Sequence, residues 1–204
     1  GRKRLKIEWD LGDNVSYNTQ EHYQVFEKSL LKPAKVVRNR GDFKQAQKDA
    51  AKQIEANYKV AGLAHAPMEP PAATAVITED GVNVWACTQT PQSAQNNVMQ
   101  TLSIDKENAA SVKINVTLLG GGFGRKSKPD YVAEAAFLAN ETKMPIKVLW
   151  TREDEIQHGY YHSPSLQKLQ GTLDKDGKVT GWHHTMVNHP IGSTFNPKAK
   201  TAGE

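Results

Sequence analysis

Apolar and polar positions along this chain repeat with two periods, and the places where one gives way to the other predict its elements. Over residues 3–10, Leu5, Ile7 and Trp9 fall on one side of a two-residue repeat, the pattern of a half-buried strand. From about residue 19 to 31, Tyr23, Phe26, Leu30 and Leu31 recur at helical spacing, and Pro33 lies just beyond. Residues 35–41 predict a short strand. Residues 42–58 predict a second helix, with Phe43, Ala46, Ala50 and Ile54 on one face and Asp42 as its N-cap. Pro67, Pro70 and Pro71 then forbid a helix and force an extended path.

The second half is more regular. Two β-rich runs around Glu79, Asp80 and Gly81 predict a hairpin. Pro91 suits a first helical turn and is followed by Ala94, Val98 and Leu102 on one face. Val112, Ile114, Val116 and Leu118 alternate as a strand over residues 111–119. A glycine-rich loop at 120–126 leads into a helix from about residue 127, with Val132, Ala135, Ala136 and Ala139 on its apolar face, ended before Pro145. Residues 146–150 predict another strand, and residues 165–189 a second hairpin turned by Asp174 to Gly177. Helices and strands interleave throughout, so the expected fold class is α+β (mixed α/β).

Composition narrows the function classes. A chain of 204 residues is long enough for one core or is a piece of something larger; its start at Gly1 and its end at Glu204, with no terminal signal, predict an excised segment. No apolar run approaches the roughly 18–20 residues of a membrane span, and no signal peptide is visible, which leaves localisation open between a bacterial cytoplasm and periplasm. A net charge of +4, spread along the chain, does not call for nucleic acid. The opening GRKR reads as a solvated end before it reads as a binding patch. A lone cysteine, Cys87, supports neither an internal disulfide nor an iron–sulfur cluster and reads as a small buried hydrophobe.

Candidate chemistry concentrates in GGGFGRKS, residues 120–127. Placed between a strand and a helix, such a loop offers several backbone N–H groups at a helix N-terminus, where free donors and the dipole favour an anion. A Walker A loop needs glycine where Arg125 stands, and so does a dinucleotide fingerprint counted from Gly120, so neither motif is present. A tight turn without ligand stays open as the plainer account. Upstream, His65 and Glu69 sit in the prolyl segment AHAPMEPPA, where a structural turn with a solvated Glu is the simpler explanation. Gln89 and Gln92 leave a strand in CTQTPQ, where helix capping around Pro91 competes with a site. Five histidines (158, 162, 183, 184 and 189) fall in the last third. Only His158 and His162 have helical i, i+4 spacing, with Gly159 between them and no acid, which argues against a metal site. Glu153, Asp154 and Glu155 read as a capping or surface acid group.

Taken in order, AHAPMEPPAATA, VWACTQTPQSAQ, GGGFGRKSKPDYVAEAAFLA and VLWTREDEIQHGYYHSP resemble the molybdenum-binding large subunit of the xanthine oxidase and aldehyde oxidoreductase family. Within it they look most like the isoquinoline oxidoreductase β-subunit branch. The match runs from about residue 41 to the end. It implies that residues 1–10 are the tail of a preceding domain, 11–40 a linker region with a helix, and 41–204 the N-terminal portion of a molybdenum-cofactor-binding domain. The resemblance implies a molybdopterin cofactor, in the cytosine dinucleotide form, with no residue here ligating the metal directly. Its cofactor-binding residues would be Gln89, Gly121, Gly122, Phe123, Gly124 and Arg125, with Gln89 and Phe123 near the molybdenum and Arg125 meeting pterin or phosphate charge. It further implies oxidation or hydroxylation of an N-heterocycle or aldehyde with water as oxygen source, electrons passed to an iron–sulfur small subunit, and contact with the rest of the large subunit. The family's general base is a glutamate beyond this chain's end, so the segment alone would be inactive. Many xanthine oxidase relatives carry Gly-Lys-Glu where this chain has Arg125-Lys126-Ser127, a departure that suits the isoquinoline branch and disfavours xanthine as substrate. The alternative from another class is a non-enzymatic phosphate- or nucleotide-binding module using the loop from Gly120 to Gly124.

Overall fold

The computed structural model of the chain describes residues 4–196, 198 and 199. In chain order the regular elements are α1 (Thr19–Leu30), α2 (Phe43–Asp49), β1 (Lys52–Val60), β2 (Ala72–Thr78), β3 (Gly81–Ala86), α3 (Pro91–Thr101), β4 (Val112–Val116), α4 (Asp130–Thr142), β5 (Ile146–Leu149), α5 (Arg152–His158), β6 (Ser165–Leu173) and β7 (Val179–Asn188). Two compact units divide them. One takes the segments up to Ala61 and from Ser163 onward; the other is Gly62–His162. Mixed helix and sheet is the class the interleaved periods predict. No helix among the described residues is long and apolar enough to cross a membrane.

The first unit is an antiparallel sheet in the order β1-β6-β7, with α1 and α2 beside it. Its β6–β7 hairpin closes as predicted, because the Asp174 carboxylate accepts the N–H groups of Asp176 and Lys178 while Gly177 takes φ +78°. Asn18 caps α1 by accepting from Gln20 and Glu21, and Asp42 caps α2 by accepting from Gln45.

Three sequence expectations fail in this unit. The predicted second helix stops at Asp49, and the rest of that stretch is β1, paired residue for residue with β6 from Lys52↔Leu173 to Val60↔Ser165. Ala50 and Ile54 fit a helical face, but Ile54, Ala56, Tyr58 and Val60 also alternate with polar residues, and pairing with β6 selects that second period. Residues 5–11 join neither sheet and expose Leu5, Ile7 and Trp9. Residues 35–40 likewise form no strand, and Val36 and Val37 are exposed. Alternation alone does not make a strand where no neighbour supplies the ladder bonds. Of the basic opening, residues 1–3 lie outside the described residues.

The second unit is a sheet in the order β4-β3-β2-β5, with α3 and α4 packed against it. Strands β2 and β3 form the predicted hairpin, β5 lies antiparallel to β2, and β4 lies parallel to β3 after a crossover through α3. Ala73 and Ala75 of β2 and Val82, Val84 and Ala86 of β3 alternate inward onto Ala94 and Val98 of α3 and Val132, Ala135, Ala136 and Ala139 of α4. Most of these side chains are small, so the helices sit close to the strands and the core has little room to adjust. Strand β4 is shorter than predicted: it ends at Val116, and Leu118 is 96% exposed. The helix after the glycines also starts later than predicted. Arg125–Ser127 form a single 3-10 turn, and α4 begins at Asp130.

Register decides what this sheet presents. Ala86 of β3 lies level with Val116 of β4, Ala73 of β2 lies level with Ala86, and Ala72 lies level with Leu149 of β5. Residues leading into β2 and those leaving β3, β4 and β5 therefore meet at one end of the sheet. Two bonds continue the ladders into these loops, from Thr117 N–H to Ala86 O at 3.1 Å and from Trp150 N–H to Pro71 O at 3.0 Å.

Overpacking is the test of this core. Ala136→Leu, at a fully buried position, is expected to lower the unfolding free energy by about 1–3 kcal/mol. Glu141→Ala, on the exposed end of the same helix, should stay within about 0.5 kcal/mol in the same denaturant titration.

Candidate functional site

The loop that leaves β4 is gripped by the one that leaves β3. Gln89 Oε1 accepts the Gly124 N–H at 3.0 Å, across 35 residues of sequence. The Gln89 N–H and the Thr88 hydroxyl both donate to Lys126 O at 3.1 Å, and the Thr90 hydroxyl donates to Ser127 O at 3.0 Å. Residues 88–90 thus run along residues 124–127 as a short polar zipper. Gln92 is not part of it: its amide donates to Gln95 and Asn96 on its own helix.

Two glycines are required by this geometry. A Cβ on Gly122 would stand 2.4 Å from Gln89 Oε1, well inside contact distance. Gly124 takes φ +97°, a left-handed conformation that side chains strain. Phe123 itself holds φ +52° and is 68% exposed at the crest of the loop. Among the described residues, the backbone N–H groups of Gly121, Gly122 and Phe123 donate to no protein acceptor. The loop therefore offers neutral donors flanked by an exposed aromatic ring.

The cations that follow are not at its surface. Arg125 and Lys126 are both 0% exposed. The Arg125 guanidinium grips the Asp130 carboxylate with two bonds of 2.9 Å, donates to Lys128 O at 3.2 Å, and packs against the rings of Trp150 and Tyr160. Its Nε is the one buried side-chain nitrogen among the described residues with no partner. The Lys126 ammonium meets Glu69 Oε2 at 2.6 Å. This differs from the sequence reading, in which Arg125 faces a ligand's charge: the buried guanidinium is paired with the partly buried Asp130 of this chain. The helix N-terminus expected behind the loop is also displaced, since α4 opens on Asp130 itself.

Glu69 is more than the solvated turn residue it reads as in the sequence. Its N–H donates to Gly120 O and its Oε2 accepts the Gly120 N–H, each at 3.0 Å, so it holds the near end of the loop as Gln89 holds the far end. Burial pushes its pKa up, but the Lys126 ammonium and the Gly120 N–H outweigh that and hold it below the usual carboxylate range. The prolyl segment carrying Glu69 is in turn strapped by α5, whose N-terminus bears a capping box of Thr151 and Asp154. Glu155, read from sequence as a surface acid, is 1% exposed: it accepts the Ala66 N–H at 3.1 Å and pairs with Arg152 at 2.6 Å, while Arg152 also donates to Pro67 O.

His65 lies beside the loop. Its Nδ1–H donates to Tyr160 O at 3.1 Å, its ring centroid is 3.9 Å from that of His162, and its Nε2 approaches Gly124. Burial, and then the neighbouring His162, lower its pKa, so the imidazole is neutral over a wider range than a free one. His158 ends α5, and His183 and His184 bond to Gln170 and Gln167 on the other unit's sheet. No cluster of three metal-binding side chains occurs among the described residues.

Cys87, from which β3 passes into this loop, is 2% exposed as expected, and burial raises its pKa. The Cys87 carbonyl accepts the hydroxyl of fully buried Tyr131, tying the loop to α4.

Comparison with known proteins shows what the chain is similar to. The molybdopterin cofactor-binding domain family matches residues 28–198. The aldehyde oxidoreductase molybdenum-binding subunit PaoC of Escherichia coli K12 is 32% identical over 149 residues, which is 72% of this chain and 20% of that protein. Isoquinoline 1-oxidoreductase subunit beta of Brevundimonas diminuta is 29% identical over 124 residues, 60% of this chain and 16% of that one. The chain thus spans about a fifth of the length of these relatives. In fold it resembles the aldehyde oxidoreductase of Desulfovibrio gigas with a TM-score of 0.62 at 20% identity, covering 76% of this chain and 17% of that one.

The His65 environment has a pH signature. With the folded-state pKa lowered from 6.5, the unfolded chain binds more protons as pH falls through 6.5, so stability is present above that value and declines below it. His65→Gln is expected to flatten the fall in unfolding free energy just below pH 6.5, leaving the part contributed by His189, whose pKa is lowered as well. A slope unchanged by His65→Gln in pH-dependent denaturation would contradict this assignment.

Proposed function

The chain belongs to the molybdopterin cofactor-binding domain family, and from that premise we propose that the loop from Gly120 to Gly124 is its cofactor contact. The carrying observation is the set of unpaired backbone donors at Gly121, Gly122 and Phe123, held in place by Gln89 at the end of a parallel strand pair. Ligand sites in such sheets commonly lie at the carboxyl ends of parallel strands. The residues fit the group: neutral N–H donors suit the oxygen and sulfur ligands of a molybdenum centre, and Gly122 leaves the approach to Gln89 free of a side chain. Gln89, Gly121, Gly122, Phe123 and Gly124 would touch the cofactor, whereas Arg125 would support the loop from beneath.

When bound, the cofactor supplies two-electron redox chemistry with water as the oxygen source. The chain's own work is to orient it and to keep the loop's donors fixed. In the whole protein this reading extends to oxidation or hydroxylation of an aldehyde or N-heterocycle, a cofactor in the cytosine dinucleotide form, and electron transfer to an iron–sulfur partner. Residues 41–204 would be the N-terminal portion of the cofactor domain, with 1–10 and 11–40 the tail of a preceding domain and a linker. The general base would be a glutamate outside this sequence. The phosphate-module alternative invokes the same backbone donors; it is disfavoured because the two cations that follow the loop are each committed to a carboxylate and the helix N-terminus behind it is displaced to Asp130.

The test uses the intact protein from a host that makes molybdopterin. Wild type is expected to carry about one molybdenum per chain. Gly122→Ala, whose Cβ displaces the Gln89 amide, should remain folded and retain several-fold less. Wild type free of molybdenum, or a folded Gly122→Ala with full content, would overturn the proposal.

A further inference from the structure

Lys126 is a fully buried lysine next to a loop assigned to an anionic cofactor, yet its ammonium points at Glu69, 2.6 Å away. The same Glu69 oxygen accepts the Gly120 N–H at 3.0 Å, and the Glu69 N–H donates back to Gly120 O at 3.0 Å. Three connections therefore converge on one residue: its N–H donates to the Gly120 carbonyl, its carboxylate accepts the Gly120 N–H, and the same carboxylate pairs with Lys126, two residues past Gly124. The Lys126 carbonyl is meanwhile occupied by Thr88 and Gln89. Side chain and main chain of Lys126 both anchor the loop, and neither is directed to a ligand.

We propose that Glu69 and Lys126 form a charge-matched latch that fixes both ends of the glycine loop, so that Lys126 is a positioning residue and its charge does not bind the cofactor. This rests on the reading that the loop holds molybdopterin. The physical argument is that a buried ammonium is costly unless paired. Lys126 can reach its buried place only with Glu69 beside it, and Glu69 in that place is within reach of Gly120. Removing one partner leaves a mismatched charge under the loop, whereas removing both charges together leaves the packing and the Gly120 acceptor in place, since a glutamine oxygen accepts the same N–H and methionine fills the lysine's path.

The experiment compares Glu69→Gln, Lys126→Met and the double variant in the intact protein. It reads molybdenum per folded chain and, on cofactor-free protein, amide hydrogen exchange of residues 116–128. Each single variant is expected to lose cofactor several-fold and to exchange faster in that segment, with the double variant back near wild type on both. If Lys126 instead contacts the cofactor with its charge, the double variant loses as much as Lys126→Met alone, and the proposal falls. Exchange at the wild-type rate in both single variants overturns it as well. Should a single variant fail to fold, the double variant decides, because a matched neutral pair is expected to be at least as stable as either mismatch; a double variant that fails to fold counts against the latch. Wild type without molybdenum would remove the cofactor reading, and the exchange comparison would still judge the latch.

Discussion

The parallel pairing of β3 with β4 is the constraint on which the site depends. Two parallel neighbours end at the same end of a sheet, and here Ala86 stands level with Val116. A hairpin between them would have sent the two exits to opposite ends. The α3 crossover restores direction, and the core of small side chains under α3 and α4 fixes that crossover against the sheet. From this follows the meeting of Gln89 with Gly124. The antiparallel strands complete the arrangement, since β2 begins and β5 finishes at that same end, bringing the prolyl segment and α5 to the loop.

Charge pairing then determines the chemical character of the loop. Arg125, Lys126 and Glu155 are all buried, and each has an opposite charge in contact: Asp130, Glu69 and Arg152. Buried ions left unpaired would destabilise so tight a unit, so these pairs belong to its architecture. What the loop, Gln89 and His65 themselves present is uncharged: backbone N–H groups, a carboxamide, an aromatic ring and an imidazole whose pKa is lowered. Such a surface binds through direction more than through long-range attraction, which suits holding a reactive group in one orientation.

Much of this was legible in the sequence. The β2–β3 and β6–β7 hairpins, α3 and α4 follow from local periods and turn residues that no long-range partner contradicts. GGGFG was legible as a strand-to-helix loop that needs bare backbone, but a tight turn and helix capping around Pro91 account for the two stretches separately, and the resemblance alone puts Gln89 beside the loop. Residues 50–58 were misread because Ala50 and Ile54 satisfy both periods, and only the presence of β6 chooses between them. Arg125 reads as meeting a ligand's charge since sequence does not tell that the chain turns inward after Gly124; the one signal is that Asp130 and Glu69 are available to receive Arg125 and Lys126. Glu155 was hidden for the same reason, since the two acids before it are an exposed Glu153 and a capping Asp154. The strand expected at Leu5, Ile7 and Trp9 shows the reverse limit, an alternation with no described strand to pair with.

The most direct test of the central claim is a crystal structure of the intact protein with molybdenum located by its anomalous scattering. The expected result is a single strong peak beside the backbone N–H groups of residues 121–123 and within reach of the Gln89 side chain. A peak elsewhere in the protein, with this loop turned to solvent or against other protein atoms, would contradict the account.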